Sequence, residues 1–226
     1  MAFVPDGSLR KRFKLIFPVV VVLSVAVLVV TFLRQTPCGQ ACVVLMSDSI
    51  TALWPDAATS KELAGLRIVN RGIPGNETAH MRSRFHHDVI RLSPSVVVSQ
   101  GGINDFVRVP LSSTEQNLEA MADQAYENGI AVVLATLLPT GKHDSDLAGP
   151  GQDSGHQKIR ELNDWIKLFA EKRHFVVADY RSVLTYERGF YLEGFTADRI
   201  HPTAKGYTQM EPLLRDALQA ALRSGK

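Results

Sequence analysis

The feature that most constrains the fold of this 226-residue chain is the alternation of short apolar runs with longer amphipathic segments. A short continuous apolar run bounded by turn residues is typical of a parallel strand buried on both faces. Amphipathic segments between such runs predict helices that connect one parallel strand to the next. The sequence therefore predicts an α/β fold with a five-stranded parallel sheet covered by helices on both faces. The predicted strands are Ala41–Ser47, Leu66–Asn70, Pro94–Ser99, Ile130–Leu138 and Phe175–Tyr180.

The N-terminal region differs in composition from the rest of the chain. Residues 15–33 contain no charged side chain and are numerous enough to cross a bilayer as one helix. The basic residues that precede them predict a cytoplasmic tail (1–14), a transmembrane signal-anchor helix (15–33), a linker (34–40) and an extracytoplasmic domain (41–226). The alternative is a cleaved signal peptide and secretion, although its apolar core is usually shorter and is followed by an A-x-A-like site.

Charge and cysteine content exclude several classes of function. The net charge of +2 comes from the N-terminal region, so the mildly acidic domain offers no electrostatic surface for nucleic acid. No G-x-G-x-x-G or GK[ST] phosphate loop is present. Cys38 and Cys42 fit no zinc pattern, and we expect a juxtamembrane thiol and a buried thiol, with a disulfide across this short loop left open. The sequence predicts neither metal nor cofactor and does not determine the oligomeric state.

A candidate nucleophile follows the first predicted strand. Ser49 lies at the start of a segment, Ile50 to about Ala64, that predicts a helix. Parallel α/β sheets keep their sites at the carboxyl ends of the strands, and the free N–H groups of a helix N-terminus favour developing negative charge. The alternative interpretation is that Asp48 and Ser49 only cap the helix.

Turns after other predicted strands, and a segment near the C-terminus, supply the remaining groups that acyl transfer to serine requires. The N–H of Gly72 has no side chain to keep a ligand away, and the Asn104 amide is able to donate to an oxyanion. Asp198 and His201 are three residues apart, so the carboxylate is able to orient the imidazole. Each residue alone has a structural interpretation, as a turn glycine, a cap or a surface group. Their combination at one sheet edge favours catalysis.

Four segments in this order resemble the conserved blocks of the SGNH hydrolases, also called GDSL lipases/esterases. The resemblance extends over about residues 42–222 and is strongest to the small single-domain branch that includes lysophospholipase and thioesterase I-like enzymes. It implies a flavodoxin-like three-layer α/β/α fold. The segments are SDSIT (Ser47–Thr51), NRGIPGNET (Asn70–Thr78), GGIND (Gly101–Asp105) and DRIHPTAKGY (Asp198–Tyr207).

The resemblance also implies the role of each candidate. Ser49 is the nucleophile, His201 the base and Asp198 its partner, while the Ser49 N–H, the Gly72 N–H and the Asn104 side chain form the oxyanion hole. The chain departs from the family where Ser47 and Arg199 replace frequent glycines. Serine at position 47 costs about 1 kcal/mol if the backbone requires a positive φ, and otherwise its hydroxyl offers an extra polar contact. For Arg199 the alternatives are a contact with an acidic part of the substrate or a side chain that points to solvent.

The leading hypothesis is a membrane-anchored extracytoplasmic serine ester hydrolase of the lysophospholipase/esterase type. Its expected partners are a small-molecule acyl ester, a lipid or an acylated glycan, and the membrane through the N-terminal helix. The alternatives are an O-acetyl esterase or acyltransferase acting on cell-envelope carbohydrate and, with less support, an inactive binding domain on the same fold.

Overall fold

The computed structural model describes residues 42–55, 60–141, 154–186 and 189–224. All of them belong to the compact unit that begins at Pro37. The predicted tail, anchor helix and linker lie outside the described residues. Within those residues, no helix combines the length and apolar character needed to cross a bilayer.

Five parallel strands form a single sheet, which confirms the predicted fold class. The strands are β1 (Cys42–Ser47), β2 (Arg67–Gly72), β3 (Val96–Ser99), β4 (Ala131–Ala135) and β5 (Val176–Ala178). They pair in the order β2-β1-β3-β4-β5. The strand order reverses between β1 and β3, and ligands of doubly wound folds bind outside the carboxyl ends of the strands at such a switch point.

Helices cover both faces of the sheet. Residues from α2, α3 and α4 contribute to the core cluster on one face, whereas the longest helix, α6, packs on the other. The helices are α1 (Ser49–Ala52), α2 (Thr78–Asp88), α3 (Leu111–Glu127), α4 (Ser154–Arg173), α5 (Arg181–Leu184) and α6 (Ala204–Ser224), with short 3₁₀ turns at Lys61–Leu63 and Ile90–Leu92.

The side chains of β1 alternate between these two cores. Val43 and Leu45 belong to the cluster that contains α6, and Val44 and Met46 belong to the cluster that contains α2, α3 and α4. Because successive strand residues point to opposite faces, an apolar run is needed to bury both of them. The strand is fully buried, which fixes the position of the residues that follow it.

The first helix is much shorter than the predicted Ile50–Ala64. It ends at Ala52, and the Trp54 N–H donates to the Thr51 carbonyl in a tight turn. Pro55 explains the early end, because a proline disfavours helical backbone at the preceding residue and has no N–H of its own. The buried Trp54 ring packs instead against Tyr180 and Tyr207.

Cys42 is fully buried, as expected, but it is disulfide-bonded. The expectation of two free thiols is therefore wrong. Cys38, the other cysteine of the sequence, lies outside the described residues.

Candidate active site

The candidate nucleophile lies at the carboxyl end of β1. Ser49 is the first residue of α1, and Asp48 caps this helix because its Oδ1 accepts the N–H of Ile50 at 2.9 Å. The capping interpretation is thus correct for Asp48. Ser49 is 9% exposed, and its hydroxyl is left for a different contact.

Ser49, His201 and Asp198 form a continuous hydrogen-bonded chain. The Ser49 Oγ lies 2.9 Å from His201 Nε2, and His201 Nδ1 lies 2.6 Å from Asp198 Oδ2. An ionised carboxylate accepts a hydrogen bond from Nδ1–H, which leaves Nε2 as the acceptor for the serine proton. The structure therefore brings together three residues that are widely separated in sequence, in the arrangement that general-base activation of a hydroxyl requires.

The Asp198 carboxylate is held by its own turn. Its Oδ1 accepts the N–H groups of Ile200 at 2.9 Å and His201 at 2.8 Å. The His201 N–H, more than any other interaction, holds the pKa of Asp198 well below its usual range, with the His201 side chain and the Ile200 N–H adding to the effect. Asp198 is therefore ionised at neutral pH.

Asn104 lies between Asp48 and the turn that follows β2. Its Nδ2 donates to the Asn76 carbonyl at 3.0 Å and approaches Asp48 Oδ2 at 3.4 Å. The contact with Asp48 is long for a hydrogen bond and is the weaker of the two. The amide group is thus fixed next to the residue that precedes Ser49, as an oxyanion donor must be, and its role stays a prediction.

The structure gives Gly72 a different role from the predicted one. Its N–H donates to Asn70 Oδ1 at 2.9 Å, so this donor is already in use. A Cβ at Gly72 would lie 2.3 Å from the Ala52 nitrogen and 2.7 Å from the Asp48 carbonyl oxygen. Glycine is needed here because β2 packs directly on the backbone of α1, which corrects the assignment of Gly72 as an oxyanion donor.

Gly75 is a second candidate backbone donor. It lies in the turn closed by the Asn76 N–H and the Ile73 carbonyl, and its φ of 75° favours glycine. The next residue, Asn76, is the one whose carbonyl meets Asn104. No residue in the described parts of the chain accepts a hydrogen bond from the Gly75 N–H. The sequence signal for this donor is the second glycine of NRGIPGNET.

Arg84, on α2, connects the loops that surround the nucleophile, a role that no motif in the sequence indicates. Its guanidinium donates to the carbonyls of Ser47 at 3.0 Å and Arg71 at 2.9 Å, and to Asn76 Oδ1 at 2.9 Å. Asp88, one turn further along α2, neutralises its charge at 2.7 Å. One side chain therefore fixes the end of β1, the end of β2 and the turn that approaches Asn104.

Two buried carboxylates complete this side of the site. Burial raises the pKa of Asp48 to about 6, against the lowering effects of the Ile50 N–H and the nearby His201. Asp105 is completely buried and accepts hydrogen bonds from the Thr78 N–H, the Thr78 hydroxyl and the Thr114 hydroxyl. Asp105, which directly follows Asn104, thus anchors this turn to the start of α2.

Two tyrosine hydroxyls hold the backbone beside the catalytic groups. The Tyr207 hydroxyl donates to the Ile50 carbonyl at 2.7 Å, and the Tyr191 hydroxyl donates to the Ile200 carbonyl at 2.9 Å. Burial raises the pKa of both phenols, so they remain neutral donors. Each hydroxyl therefore fixes a residue directly adjacent to Ser49 or His201.

The two departures from the family pattern have different consequences. Ser47 has no positive φ, so serine causes no backbone strain there, although no described residue bonds its buried hydroxyl. Arg199 has a φ of 75°, a conformation that favours glycine. In the part of the chain that the structure describes, no cluster of His, Cys, Asp or Glu side chains could hold a metal ion.

Similarity to known proteins identifies the family of the chain. The model of the GDSL-like lipase/acylhydrolase family matches residues 48–209, which include every residue of the proposed site. The chain belongs to this family. The resemblance found in the sequence is therefore confirmed.

Individual relatives of this GDSL-like hydrolase include a lipase and an esterase. The chain is 24% identical to an acetylxylan esterase from Geobacillus stearothermophilus over 181 residues, which cover 75% of this chain and 76% of the esterase. A GDSL-like lipase from Bacteroides thetaiotaomicron is 30% identical, with a TM-score of 0.69 over 79% of this chain and 88% of that one. The structure of an acetylxylan esterase catalytic mutant from Geobacillus stearothermophilus shares the fold, at 19% identity and a TM-score of 0.61 over 79% and 94% of the two chains.

Proposed function

We propose that this protein is a serine carboxylic-ester hydrolase in which Ser49, His201 and Asp198 form the catalytic triad. The observation that carries the proposal is the unbroken contact from Ser49 Oγ through both imidazole nitrogens to the Asp198 carboxylate. Ser49 attacks the ester carbonyl while Nε2 takes its proton. His201 then protonates the leaving alcohol, and a water molecule, activated in the same way, releases the acid.

The oxyanion of the tetrahedral intermediate requires preorganised donors. The Ser49 N–H stands at the start of α1, and the Asn104 amide and the Gly75 N–H lie on the adjoining turns. Gly75 takes the place of Gly72 among these donors, because the Gly72 N–H already donates to the Asn70 side chain. The Asn104 amide needs only to exchange its long contact with Asp48 for the oxyanion, and such contacts often adjust when a substrate binds.

The cavity beside Ser49 favours a short acyl group. It is lined by Asp48 and Ile50 and holds only about 20 Å³, enough for one water-sized group. A small acyl group such as acetyl suits a cavity of this size. Together with the acetylxylan esterase relative, this supports the O-acetyl ester of a carbohydrate as substrate. The apolar lining residues are Ile50, Ile103, Leu137, Leu138, Pro139 and Ile200.

A lipid ester, such as a lysophospholipid, is the second candidate. Leu53, at the end of α1, and Ile73, in the turn after β2, are exposed aliphatic side chains at the same sheet edge. The residues that precede them, Ala52 and Gly72, pack directly on each other. Exposed aliphatic side chains at the rim of a site suit an acyl chain that remains at the surface.

The domain is proposed to be extracytoplasmic, attached to the membrane through residues 15–33. The disulfide at Cys42 supports this placement, because disulfides persist in oxidising compartments. A reporter enzyme fused after Lys226 is expected to be active only outside the cytoplasm. Activity on the cytoplasmic side would contradict the proposed topology.

The substrate class is tested with p-nitrophenyl esters from acetyl to long-chain acyl and with lysophospholipid, using the full chain and its Ser49→Ala variant. Serine-dependent cleavage that is fastest with acetyl supports the short-acyl proposal. A long-chain optimum favours the lipid alternative. Transfer of the acyl group to an added sugar in place of water would identify an acyltransferase, and no serine-dependent turnover would favour an inactive binding domain.

A further inference from the structure

The small cavity beside Ser49, which we call the acyl cavity, is bounded by the neighbours of the nucleophile and of the base. Asp48 and Ile50, which line it, flank Ser49 in sequence, and the lining residue Ile200 directly precedes His201. A group on the carbonyl carbon that Ser49 attacks is therefore placed to enter this cavity. Its volume of about 20 Å³ accommodates one water-sized group. The polarity of its lining then determines which acyl groups it favours.

Gln100, directly after β3, lines the acyl cavity and carries a hydrogen-bond acceptor that is not used. The residue is only 5% exposed, and its Nε2 donates to the Thr136 carbonyl at 2.8 Å. Within the described residues, its Oε1 has no hydrogen-bond partner. A flipped amide would place Oε1 against the Thr136 carbonyl oxygen, so this contact fixes the orientation of the amide. Gln100 therefore offers a buried acceptor at the wall of the cavity.

The other side chains around the acyl cavity are mostly aliphatic. The polar exceptions are Asp48, whose carboxylate only accepts hydrogen bonds when ionised, and Thr140, whose hydroxyl lies 2.8 Å from His156 Nε2. A buried polar atom without a partner is uncommon and requires an explanation, and an apolar acyl group would be held as well by one more aliphatic side chain. A water-sized group that donates a hydrogen bond would satisfy Gln100, whereas a methyl group would not.

We infer that Gln100 is a specificity-determining residue and that the preferred acyl group carries a hydrogen-bond donor on the carbon next to the ester carbonyl. The inference rests on the proposed ester hydrolysis and adds a requirement on the acyl half of the substrate. A glycolyl group meets this requirement, since its hydroxyl fills the acyl cavity and donates to Gln100 Oε1. A glycyl group, with a protonated amine at the same place, has the same donor chemistry. Acetyl esters remain substrates but leave the acceptor unsatisfied, so they are cleaved less efficiently.

The experiment compares phenyl propionate, phenyl glycolate and the phenyl ester of glycine. Their acyl groups have the same number of non-hydrogen atoms and differ only in a terminal methyl, hydroxyl or ammonium group. The full-length enzyme is assayed by phenol release, and each kcat/KM is divided by the rate constant for alkaline hydrolysis of the same ester, which removes differences in intrinsic reactivity. We expect the corrected value for glycolate to exceed that for propionate roughly tenfold, because only the hydroxyl satisfies the buried acceptor.

The Gln100→Met variant keeps the length of the side chain and removes the acceptor. It should reduce the ratio of the corrected values for glycolate and propionate to about one. The matched control is Gln219→Met, the same substitution at an exposed residue of α6, which should keep the wild-type ratio. If Gln100→Met does not fold, the comparison of the three esters with the wild-type enzyme decides.

The outcomes separate this inference from the proposed function. Preference for glycolate, with or without a similar preference for the glycine ester, supports the inference. Equal corrected values for all three esters, a preference for propionate, or a preference retained in Gln100→Met would overturn it. A gain confined to the glycine ester would also overturn it, because the charge of Asp48 would then be the cause. If the wild-type protein shows no Ser49-dependent cleavage of any of the three esters, the proposed function itself fails.

Discussion

The two halves of the candidate site are built in different ways. The nucleophile half consists of residues 47–49, the turn 70–76 and Asn104, and the nucleophile at its centre is buried, with Asp48 only 1% and Ser49 9% exposed. The base half is the loop 196–202, in which the Asp198 side chain is 55% exposed and that of His201 29% exposed. One half depends on the protein interior, and the other lies at the surface.

The contacts that hold each half differ accordingly. The nucleophile half is held by side chains far away in sequence, above all Arg84, which bonds three of its backbone or side-chain acceptors. In the base half, the Asp198 carboxylate is held by N–H groups two and three residues further along. Changes in the buried half should therefore alter stability and activity together, whereas changes in the exposed half should mainly alter activity.

The largest effect on activity is expected from Asp198→Asn in the base half. The amide oxygen is still able to accept the N–H groups of Ile200 and His201, so the loop keeps its conformation. The amide cannot hold His201 in the tautomer that accepts the serine proton, and kcat should fall roughly 10⁴-fold. Steady-state kinetics with p-nitrophenyl acetate, together with thermal unfolding, test this. A variant that loses its fold, or one that keeps wild-type kcat, would contradict the expectation that changes in the base half mainly alter activity.

Asp48→Asn tests the buried half through pH. The carboxylate has a pKa of about 6 in the folded state and 3.8 as its ordinary value. Between these values the folded protein binds more protons, so its free energy of unfolding decreases as pH rises from about 4 to 6 and then stays low. The asparagine of the variant does not titrate, so its free energy of unfolding lacks this decrease. The difference in unfolding free energy between variant and wild type should shift in favour of the variant by about 2 kcal/mol from pH 4 to pH 7, as measured by urea unfolding. A difference independent of pH would contradict the burial argument.

Arg84→Lys should reduce kcat about 100-fold, because a single ammonium group cannot replace the three contacts of the guanidinium and small displacements in an active site have effects of this size. The matched control is Asp88→Asn, which weakens the ion pair but leaves the contacts of Arg84 with the loops. We expect this control to lower the melting temperature while keeping kcat close to wild type. If both variants lose stability and neither loses activity, Arg84 is only a structural residue.

The smallest effect is expected from Arg199→Gly in the base half. Glycine relieves a left-handed conformation worth about 1 kcal/mol and makes the unfolded chain more flexible by a similar amount, so thermal stability should change little. Arg199→Val should instead destabilise the protein clearly, since a β-branched residue rarely adopts this φ. Equal melting temperatures for the two variants would show that the loop relaxes to another conformation.

The difference between the nucleophile half and the base half also explains which parts of the site could be predicted from the sequence. Asp198 and His201 are close in sequence, so their interaction could be derived from spacing. The strands could be derived as well, because burial on both faces requires continuous apolar runs. Arg84 could not be found, because its partners on β1 and β2 come together only in the folded protein. The contact of Gly72 with α1 could not be found either, since it depends on the register between β1 and β2.

The most direct test of the central claim is covalent labelling of the nucleophile. The full-length protein and its Ser49→Ala variant are treated with an active-site organophosphate, and intact mass, the modified peptide and residual cleavage of p-nitrophenyl acetate are measured. We predict one adduct per chain, located on Ser49, with complete loss of activity, and neither an adduct nor turnover in the variant. Turnover that persists in Ser49→Ala, or an adduct on another residue that accompanies inactivation, would contradict the triad proposed here.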